Sequence, residues 1–318
     1  MAGLKLVFCG TPRFAVPTLE ALLSARHRIA LVVSQPDKPA GRGQQLVAPP
    51  VKQTALACGL AVTQPEKIRN NAEFRAQLES IAPDAIVVVA YGRIIPPWML
   101  ALPRLGCINL HASLLPKYRG AAPIQWAVAC GETMTGDTTM LLEEGLDTGP
   151  ILLQQTMPIG AGQTAADLFA VLADAGAPLV VETLAGLAAG ALQPKPQDHS
   201  QATLAPLLDR EDGRMDFAAR TATELNNRWR GFQPWPGAFT SLNGRKLIVH
   251  QLAVATTPPA AASPASPGQT TAEDHRLFVA CAQNTWLELV DLQLEGKKRL
   301  SAAEFLRGVQ LPAGFRLG

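Results

Sequence analysis

The stretch Leu4–Pro12, which reads LKLVFCGTP, decides the class of fold. Its apolar run is closed by a glycine, a threonine and a proline, and apolar residues then recur at helical spacing from Val16 to Leu23. This order predicts a strand, a turn and a helix. Buried strands alternating with helices predict a Rossmann-like α/β domain, with a parallel sheet covered on both faces. Further strands are predicted at Ile29–Val33, Ala85–Val89 and Cys107–Leu110, and helices between them at Val51–Ala57 and Ala72–Ile81.

The C-terminal third of the chain has a different texture. Its short alternating stretches, rich in β-branched and aromatic residues, are typical of a small β-barrel, and we expect an OB-like domain there. We therefore expect two domains, a catalytic domain over residues 1–204 and a β-barrel-like domain over residues 205–318. The predicted strands of the second domain are Lys246–Leu252, Leu277–Ala282 and Trp286–Leu292.

Three segments have compositions that disfavour regular structure. Ser34–Pro50 is rich in proline and glycine, and Ala255–Ala272 consists almost entirely of small residues, threonine and proline. Such segments cannot bury a core, so we expect both to be surface loops. The stretch Pro194–Pro206 is interpreted as the linker between the domains.

Composition excludes several classes of protein. The formal net charge of the 318 residues is only +2, which excludes a strongly basic nucleic-acid coat but allows local basic patches. Five cysteines without a CxxC pair indicate reduced thiols in a cytoplasmic protein and no metal site. No run of 18 or more apolar residues occurs, and Lys5 interrupts the apolar start, so we expect neither a membrane span nor a signal peptide.

Polar residues at the end of the fourth predicted strand indicate chemistry. Asn109 and His111 lie two positions apart, so their side chains point to the same face of a strand, at the edge where α/β sheets bind ligands. An amide beside an imidazole suits stabilisation of an oxyanion together with proton transfer. Asp147, on a glycine-rich loop between two later strands, is positioned in the sequence to reach the imidazole.

These residues alone leave two interpretations open, a catalytic site and a purely structural role. A single histidine after a strand is commonly a core or capping residue, and an aspartate before Gly-Pro is commonly part of a turn.

The turn Gly10-Thr11-Pro12 also resembles a phosphate-binding turn, but the GxGxxG pattern and an acidic ribose ligand after the second strand are absent. We therefore do not expect a dinucleotide cofactor.

Two stretches resemble the folate-dependent formyltransferase superfamily: residues 111–124, HASLLPKYRGAAPI, and residues 145–149, GLDTG. The resemblance extends over the first domain. It implies that Asn109, His111 and Asp147 form the catalytic set and that 10-formyltetrahydrofolate is the co-substrate. It also implies that the folate pterin ring is held by a second group of residues: Tyr91, Gly92, Ser113, Leu114, Leu115 and Pro116.

Two further stretches concern the acceptor. Residues 10–15, GTPRFA, and 36–43, PDKPAGRG, resemble the branch that formylates initiator methionyl-tRNA. Two positions depart from that pattern, because Arg13 replaces a usual acidic residue and Gln44-Gln45 stand where lysine is common. The alternatives are an enzyme that formylates an amino sugar nucleotide, and a non-catalytic RNA-binding protein on a transferase scaffold.

Basic residues are the expected tRNA contacts. Arg42, between two glycines, offers a planar guanidinium on a loop that can approach nucleic acid closely, with Lys38 nearby. In the second domain we expect contacts from Arg245, Lys297 and Lys298, within a basic group that also includes Arg228, Arg230, Lys246 and Arg299. We expect a monomer that binds neither DNA nor a membrane.

Overall fold

The structure is a computed structural model that describes residues 3–40, 45–260, 265–312 and 314–318. The chain separates into two compact units. The first consists of Met1–Pro123, Met134–Pro158 and Asp167–Pro206, and the second of Ile124–Thr133, Ile159–Ala166 and Leu207–Gly318. The domain boundary at residues 204/205 stays a prediction, since the second unit also includes two earlier segments of the chain.

The first 206 residues contain six α-helices and nine strands within the described ranges. In chain order they are β1 (Lys5–Gly10), α1 (Val16–Ser24), β2 (Arg28–Val33), β3 (Lys38–Ala40), β4 (Gln45–Val47), α2 (Pro50–Ala57), β5 (Val62–Thr63), α3 (Ala72–Ile81), β6 (Ala85–Val89), α4 (Pro97–Leu100), β7 (Cys107–His111), α5 (Pro123–Ala129), β8 (Met134–Leu141), β9 (Ile151–Pro158) and α6 (Ala165–Ala188).

Seven of these strands form one sheet in the order β5-β2-β1-β6-β7-β8-β9. The strands from β5 to β7 are parallel, which confirms the predicted parallel α/β sheet. The two last strands, β8 and β9, run antiparallel at one edge. Because β8 runs antiparallel to β7, His111 at the end of β7 pairs with Thr138, and the end of β8 lies beside the start of β7.

Alternation along β7 assigns its side chains to two faces. Cys107 belongs to a core cluster with Phe74 of α3 and Met99 of α4. On the other face, α6 packs so closely that a Cβ atom at Gly176 would lie 2.6 Å from the Leu110 side chain. Asn109 and His111 therefore share the face of Cys107, as the two-residue spacing predicts.

Two of the three segments predicted to be irregular are ordered within the first unit. Part of Ser34–Pro50 forms an antiparallel hairpin of β3 and β4, so the prediction of a loop without regular structure is wrong there. Pro194–Pro206 does not behave as a free linker, because its backbone pairs with Ile151 through Lys195 and with Arg119 through Leu204. Both pairings are long-range, and composition carries no signal for them.

The elements of the second unit are α7 (Ala222–Gly231), β10 (Phe239–Leu242), β11 (Arg245–Val254), β12 (Thr270–Glu273), β13 (Arg276–Ala280), β14 (Trp286–Leu294), β15 (Arg299–Ser301) and α8 (Ala302–Gly308). Its strands form an antiparallel sheet in the order β10-β11-β14-β13-β12, with β15 also paired to β14. This confirms the β-rich second domain. Its core includes Leu247, Leu289 and Phe305. Strand β12 begins at Thr270, so the loop predicted over Ala255–Ala272 is wrong at its end; residues 261–264 lie outside the described part.

Helix α6 is long and apolar enough to span a membrane by length and composition, and it alone meets that criterion among the described residues. Half of its most apolar 18-residue window is buried. A buried core helix has the same composition, so the criterion by itself assigns no membrane role.

Candidate active site

The predicted pair Asn109 and His111 lies at the end of β7. The Asn109 side chain is half-buried, and its amide has no hydrogen-bond partner among the residues that the structure describes. His111 is only 6% exposed, and its Nε2 lies 2.9 Å from the backbone oxygen of Tyr118. An amide free to donate therefore lies on the same face as an imidazole that is fixed in orientation.

The Tyr118 contact determines which imidazole nitrogen is available for chemistry. A backbone oxygen only accepts hydrogen bonds, so Nε2 of His111 must carry the proton that it donates. In the neutral ring Nδ1 is then unprotonated. This nitrogen can accept a proton at the site.

Asp147 faces that nitrogen. Its Oδ2 lies 3.7 Å from Nδ1 of His111, and the two side chains are 14% and 7% exposed. The same oxygen accepts a hydrogen bond of 2.8 Å from the backbone N–H of Gly120. Asp147 also has a φ of +50°, a left-handed conformation that is unusual outside glycine and that occurs often at functional sites. The structure thus brings His111 and Asp147 together, with Asp147 held by the backbone of a neighbouring turn and Asn109 on the same face of β7 as His111.

The stretch Ser113–Pro116, predicted to hold folate, is fixed from the side of β8 and β9. Thr138 Oγ1 donates to the Ser113 oxygen at 2.6 Å and accepts from the Leu115 N–H at 3.2 Å. Gln154 Nε2 donates to the Leu115 oxygen at 2.9 Å. Leu114 and Pro116 are partly exposed, while Ser113 and Leu115 are buried. This loop is a rigid backbone surface next to His111.

Tyr91 and Gly92 follow β6, the parallel neighbour of β7. The Tyr91 ring is 2% exposed and packs in the core, where burial raises the pKa of its hydroxyl. Its backbone oxygen accepts hydrogen bonds from Thr11 Oγ1 and Gln35 Nε2, each at 3.1 Å. Gly92 is exposed with a φ of +79°. A ligand at this edge meets the backbone of the segment and not the Tyr91 ring.

The predicted tRNA contacts do not share one environment. Lys38 is exposed on β3, and Arg42 lies outside the described residues. In the second unit Lys297 and Lys298 are exposed, and neither forms an ion pair with another described residue. Arg245 is exposed, but it donates to the Glu295 backbone oxygen at 2.7 Å.

Part of the broader basic group is engaged within the second unit. Arg230 is 7% exposed and donates to the backbone oxygens of Gly160 and Gln163, so its prediction as part of a basic group that contacts tRNA is wrong. Arg228 is half-buried over the ring of Phe232, at 4.7 Å from its centroid. Both arginines lie on α7, and their charge alone does not distinguish such buried arginines from surface ones.

The residues that support the site were not predictable as site residues from the sequence. Thr138 and Gln154 were unremarkable polar positions in two strands, although alternation places both on one face. Arg119 and Gln197 are both buried and form hydrogen bonds across 78 residues of sequence. The odd presence of an arginine beside the histidine motif was a usable signal; Gln197 had none. Among the described residues no group of three or more His, Cys, Asp or Glu side chains is placed to hold a metal ion.

Comparison with known proteins assigns the family. Residues 4–184 match the formyl transferase family, and residues 207–310 match the formyl transferase C-terminal domain. A protein of Acidobacterium capsulatum named methionyl-tRNA formyltransferase is 65% identical over 99% of this chain and 100% of its own length. A protein of Koribacter versatilis with the same name is 57% identical over 98% of both chains.

Solved structures resemble the fold at low sequence identity. An N-formyltransferase from Helicobacter canadensis, in complex with folinic acid and dTDP-3-aminofucose, superposes with a TM-score of 0.66 at 18% identity, covering 90% of this chain and 98% of that one. HypX from Aquifex aeolicus gives a TM-score of 0.62 at 17% identity and covers 97% of this chain and 50% of that one. With both of its segments matched and full-length relatives at this level of identity, the chain belongs to the formyl transferase family.

Proposed function

We propose that this chain transfers the formyl group of 10-formyltetrahydrofolate to the α-amino group of methionyl-tRNA, giving N-formylmethionyl-tRNA for initiation of translation. Full-length relatives at 65% and 57% identity are named methionyl-tRNA formyltransferase. The observation that carries the chemical part is the distance of 3.7 Å between Nδ1 of His111 and the Asp147 carboxylate, on the face that also bears Asn109.

The three side chains have separate tasks in this proposal. Bound 10-formyltetrahydrofolate supplies a formyl carbon that an amine can attack. Asn109 donates a hydrogen bond to the formyl oxygen, where negative charge develops. His111 takes up the proton of the attacking amine at Nδ1, because Nε2 is occupied by the Tyr118 oxygen. Asp147 stabilises the resulting imidazolium. As the bond between the formyl carbon and N10 breaks, the imidazolium gives this proton to N10 of the departing tetrahydrofolate.

The folate site is proposed along the backbone after β6 and β7. Gly92 and the stretch Ser113–Pro116 follow neighbouring parallel strands, so they lie at the same edge of the sheet as His111. The Thr138 and Gln154 hydrogen bonds keep that backbone fixed for a flat ring. An unpartnered amide at Asn109 fits an acyl oxygen delivered from this side.

Contact with tRNA is proposed for Lys38 and Arg42 in the first unit and for Arg245, Lys297 and Lys298 in the second. Exposed amino and guanidinium groups suit phosphate oxygens, which carry most protein–nucleic acid hydrogen bonds. Because Arg245 already donates to Glu295, its share is expected to be smaller than that of the two lysines. A monomer acting in the cytoplasm completes the proposal.

An acceptor panel tests this function. The purified chain is mixed with labelled 10-formyltetrahydrofolate and, in separate reactions, with initiator Met-tRNA, elongator Met-tRNA, uncharged tRNA or an amino sugar nucleotide. The proposal predicts label on initiator Met-tRNA and on neither uncharged tRNA nor the sugar nucleotide. Transfer to the sugar nucleotide alone would show a different acceptor, and no transfer with tRNA binding retained would show a non-catalytic RNA-binding protein.

A further inference from the structure

The loop that carries Asp147 starts at the edge of the sheet opposite to the one where His111 lies. It begins where β8 ends, and the Leu142 N–H still donates to the Cys107 oxygen there. Cys107 and His111 are at opposite ends of β7, roughly 13 Å apart at 3.3 Å per residue. The loop must therefore fold back along the strand before its carboxylate can meet the imidazole, and among the described residues the pairing of β8 with its neighbours does not include Asp147.

Gly120 holds the Asp147 carboxylate, and Gln197 holds the backbone of the loop. Its Nε2 donates to the backbone oxygens of Asp147, at 2.8 Å, and of Gly149, at 2.7 Å. Its Oε1 accepts from Nη2 of Arg119 at 2.6 Å and from Nε at 3.2 Å. Because a guanidinium only donates and a backbone oxygen only accepts, the orientation of this amide is unambiguous. Gln197 is 6% exposed, so these bonds are shielded from water.

Arg119 connects this amide to the rest of the site. It lies between Tyr118, whose oxygen fixes His111, and Gly120, whose N–H holds Asp147. Its backbone pairs with the segment that carries Gln197, since the Arg119 N–H donates to the Thr203 oxygen at 2.9 Å. One turn and one amide thereby hold both members of the His111–Asp147 pair.

We propose that Gln197 is a positioning residue that holds the Asp147 loop so that its carboxylate faces His111. The inference rests on the proposed function, because it assigns the pair its task in formyl transfer. Gln197 acts through the backbone of Asp147 and Gly149 and is not assigned a contact with substrate. Without its two donors, Asp147 is free to leave the left-handed conformation at φ +50° and its place beside His111.

Two substitutions remove the donors in different ways. Gln197→Leu removes every hydrogen bond of the side chain. Gln197→Glu keeps an acceptor for Arg119 but presents carboxylate oxygens to two backbone oxygens, so it isolates the loss of the donors. Both should lower kcat for Met-tRNA formylation by about 10- to 100-fold, the loss expected when a reacting group is displaced by about 1 Å. KM for tRNA and for formylfolate should stay within about threefold.

The decisive measurement repeats both substitutions in an Asp147→Asn background, with Gln201→Leu as the control on an exposed glutamine of the same segment. If Gln197 acts through Asp147, it should lower kcat in the wild-type background and cause no further loss in the Asp147→Asn background. Thermal unfolding of each variant verifies that it is folded. A folded Gln197→Glu variant with near-wild-type kcat, or a loss that multiplies with that of Asp147→Asn, would overturn the inference.

Failure of the proposed function is distinguishable from failure of the Gln197 inference, because it would appear as a wild-type chain that does not formylate Met-tRNA. Hydrolysis of formylfolate without acceptor, followed for the same set of variants, then decides the inference about Gln197. The same non-additive loss supports it, and unchanged hydrolysis in the Gln197 variants contradicts it.

Discussion

Two aspartates on or next to β8 have opposite surroundings. Asp147 accepts a hydrogen bond from Gly120 and faces His111, with its side chain 14% exposed. Asp137 points to the other face of the sheet, under α6, where a Cβ at Gly176 would lie 3.3 Å from its carboxyl carbon. It is fully buried, and neither of its oxygens has a partner among the described residues. Burial raises the pKa of Asp137 to about 8.

The difference shows that the environment gives two chemically identical side chains different roles. A carboxylate with a backbone donor and an imidazole beside it is positioned for charge stabilisation, whereas a carboxyl group without partners takes up a proton instead of remaining charged. Sequence distance gives no hint of this, since only ten positions separate the two. The contrast predicts that Asp147 serves turnover and that Asp137 affects stability.

Removing His111 should have the largest effect on turnover. Without the imidazole, Asp147 has no proton carrier to stabilise, and His111→Ala should lower kcat by about 10² to 10⁴, the range for a positioned acid–base group. Steady-state formylation of Met-tRNA measures the effect, with a folate-binding titration as control. Retained turnover in a folded variant would remove His111 from the mechanism.

The next largest effect is expected at Asn109. If its amide donates to the formyl oxygen, Asn109→Ala should cost about 10² to 10³ in kcat, or about 2.7 to 4 kcal/mol. The loss should appear in kcat more than in KM, because the bond strengthens as charge develops. A change confined to KM would assign Asn109 to binding alone.

Asp137 should make the free energy of unfolding depend on pH. Its pKa is raised from an ordinary value of about 3.9 to about 8 in the folded chain, so folding favours the protonated form. This stabilising contribution is fully present below about pH 4 and is lost as the pH rises towards 8. Asp137→Asn lacks that loss, so its free energy of unfolding relative to wild type should rise between pH 5 and 8, by up to about 1.4 kcal/mol per pH unit.

Urea unfolding at several pH values checks this prediction. The difference in unfolding free energy between Asp137→Asn and wild type should level off above about pH 8, where Asp137 is charged in both the folded and the unfolded wild-type chain. Parallel pH profiles for the two proteins would mean that Asp137 has a partner that keeps it ionised.

The smallest effect concerns charges of the second unit. Arg299 pairs with Asp291, whereas Lys297 and Lys298 have no ion pair among the described residues. If the two lysines contact tRNA phosphates, the double substitution to alanine should reduce the slope of log affinity against log salt by roughly one to two. Arg299→Ala is the matched control and should leave that slope nearly unchanged. Equal slopes for wild type and the lysine variant would place the tRNA contacts elsewhere.

Local patterns were sufficient to predict the parallel sheet and the convergence of Asn109 and His111, because strand alternation and the parallel edge depend on short stretches. The antiparallel run of β8 and the hairpin in residues 34–50 were not predictable in this way. They depend on pairing between segments whose composition does not encode direction.

The support of the site was missed for the same reason. Gln197 lies 50 residues from Asp147 in the sequence, in a segment interpreted as a linker from its prolines. The charge of Arg230 groups it with the other basic residues expected near tRNA, but backbone oxygens satisfy its guanidinium inside the second unit. Buried polar contacts between distant segments require the folded chain.

The role of the His111–Asp147 pair in formyl transfer can be measured against the buried Asp137. Wild type, Asp147→Asn and Asp137→Asn are compared in transfer of labelled formyl from 10-formyltetrahydrofolate to initiator Met-tRNA, at pH 7. We predict that Asp147→Asn loses about 10² to 10⁴ in kcat, while Asp137→Asn stays within about threefold of wild type, since it holds no group of the site. Equal turnover in all three proteins, or a greater loss in Asp137→Asn than in Asp147→Asn, would contradict the assignment of the His111–Asp147 pair to formyl transfer.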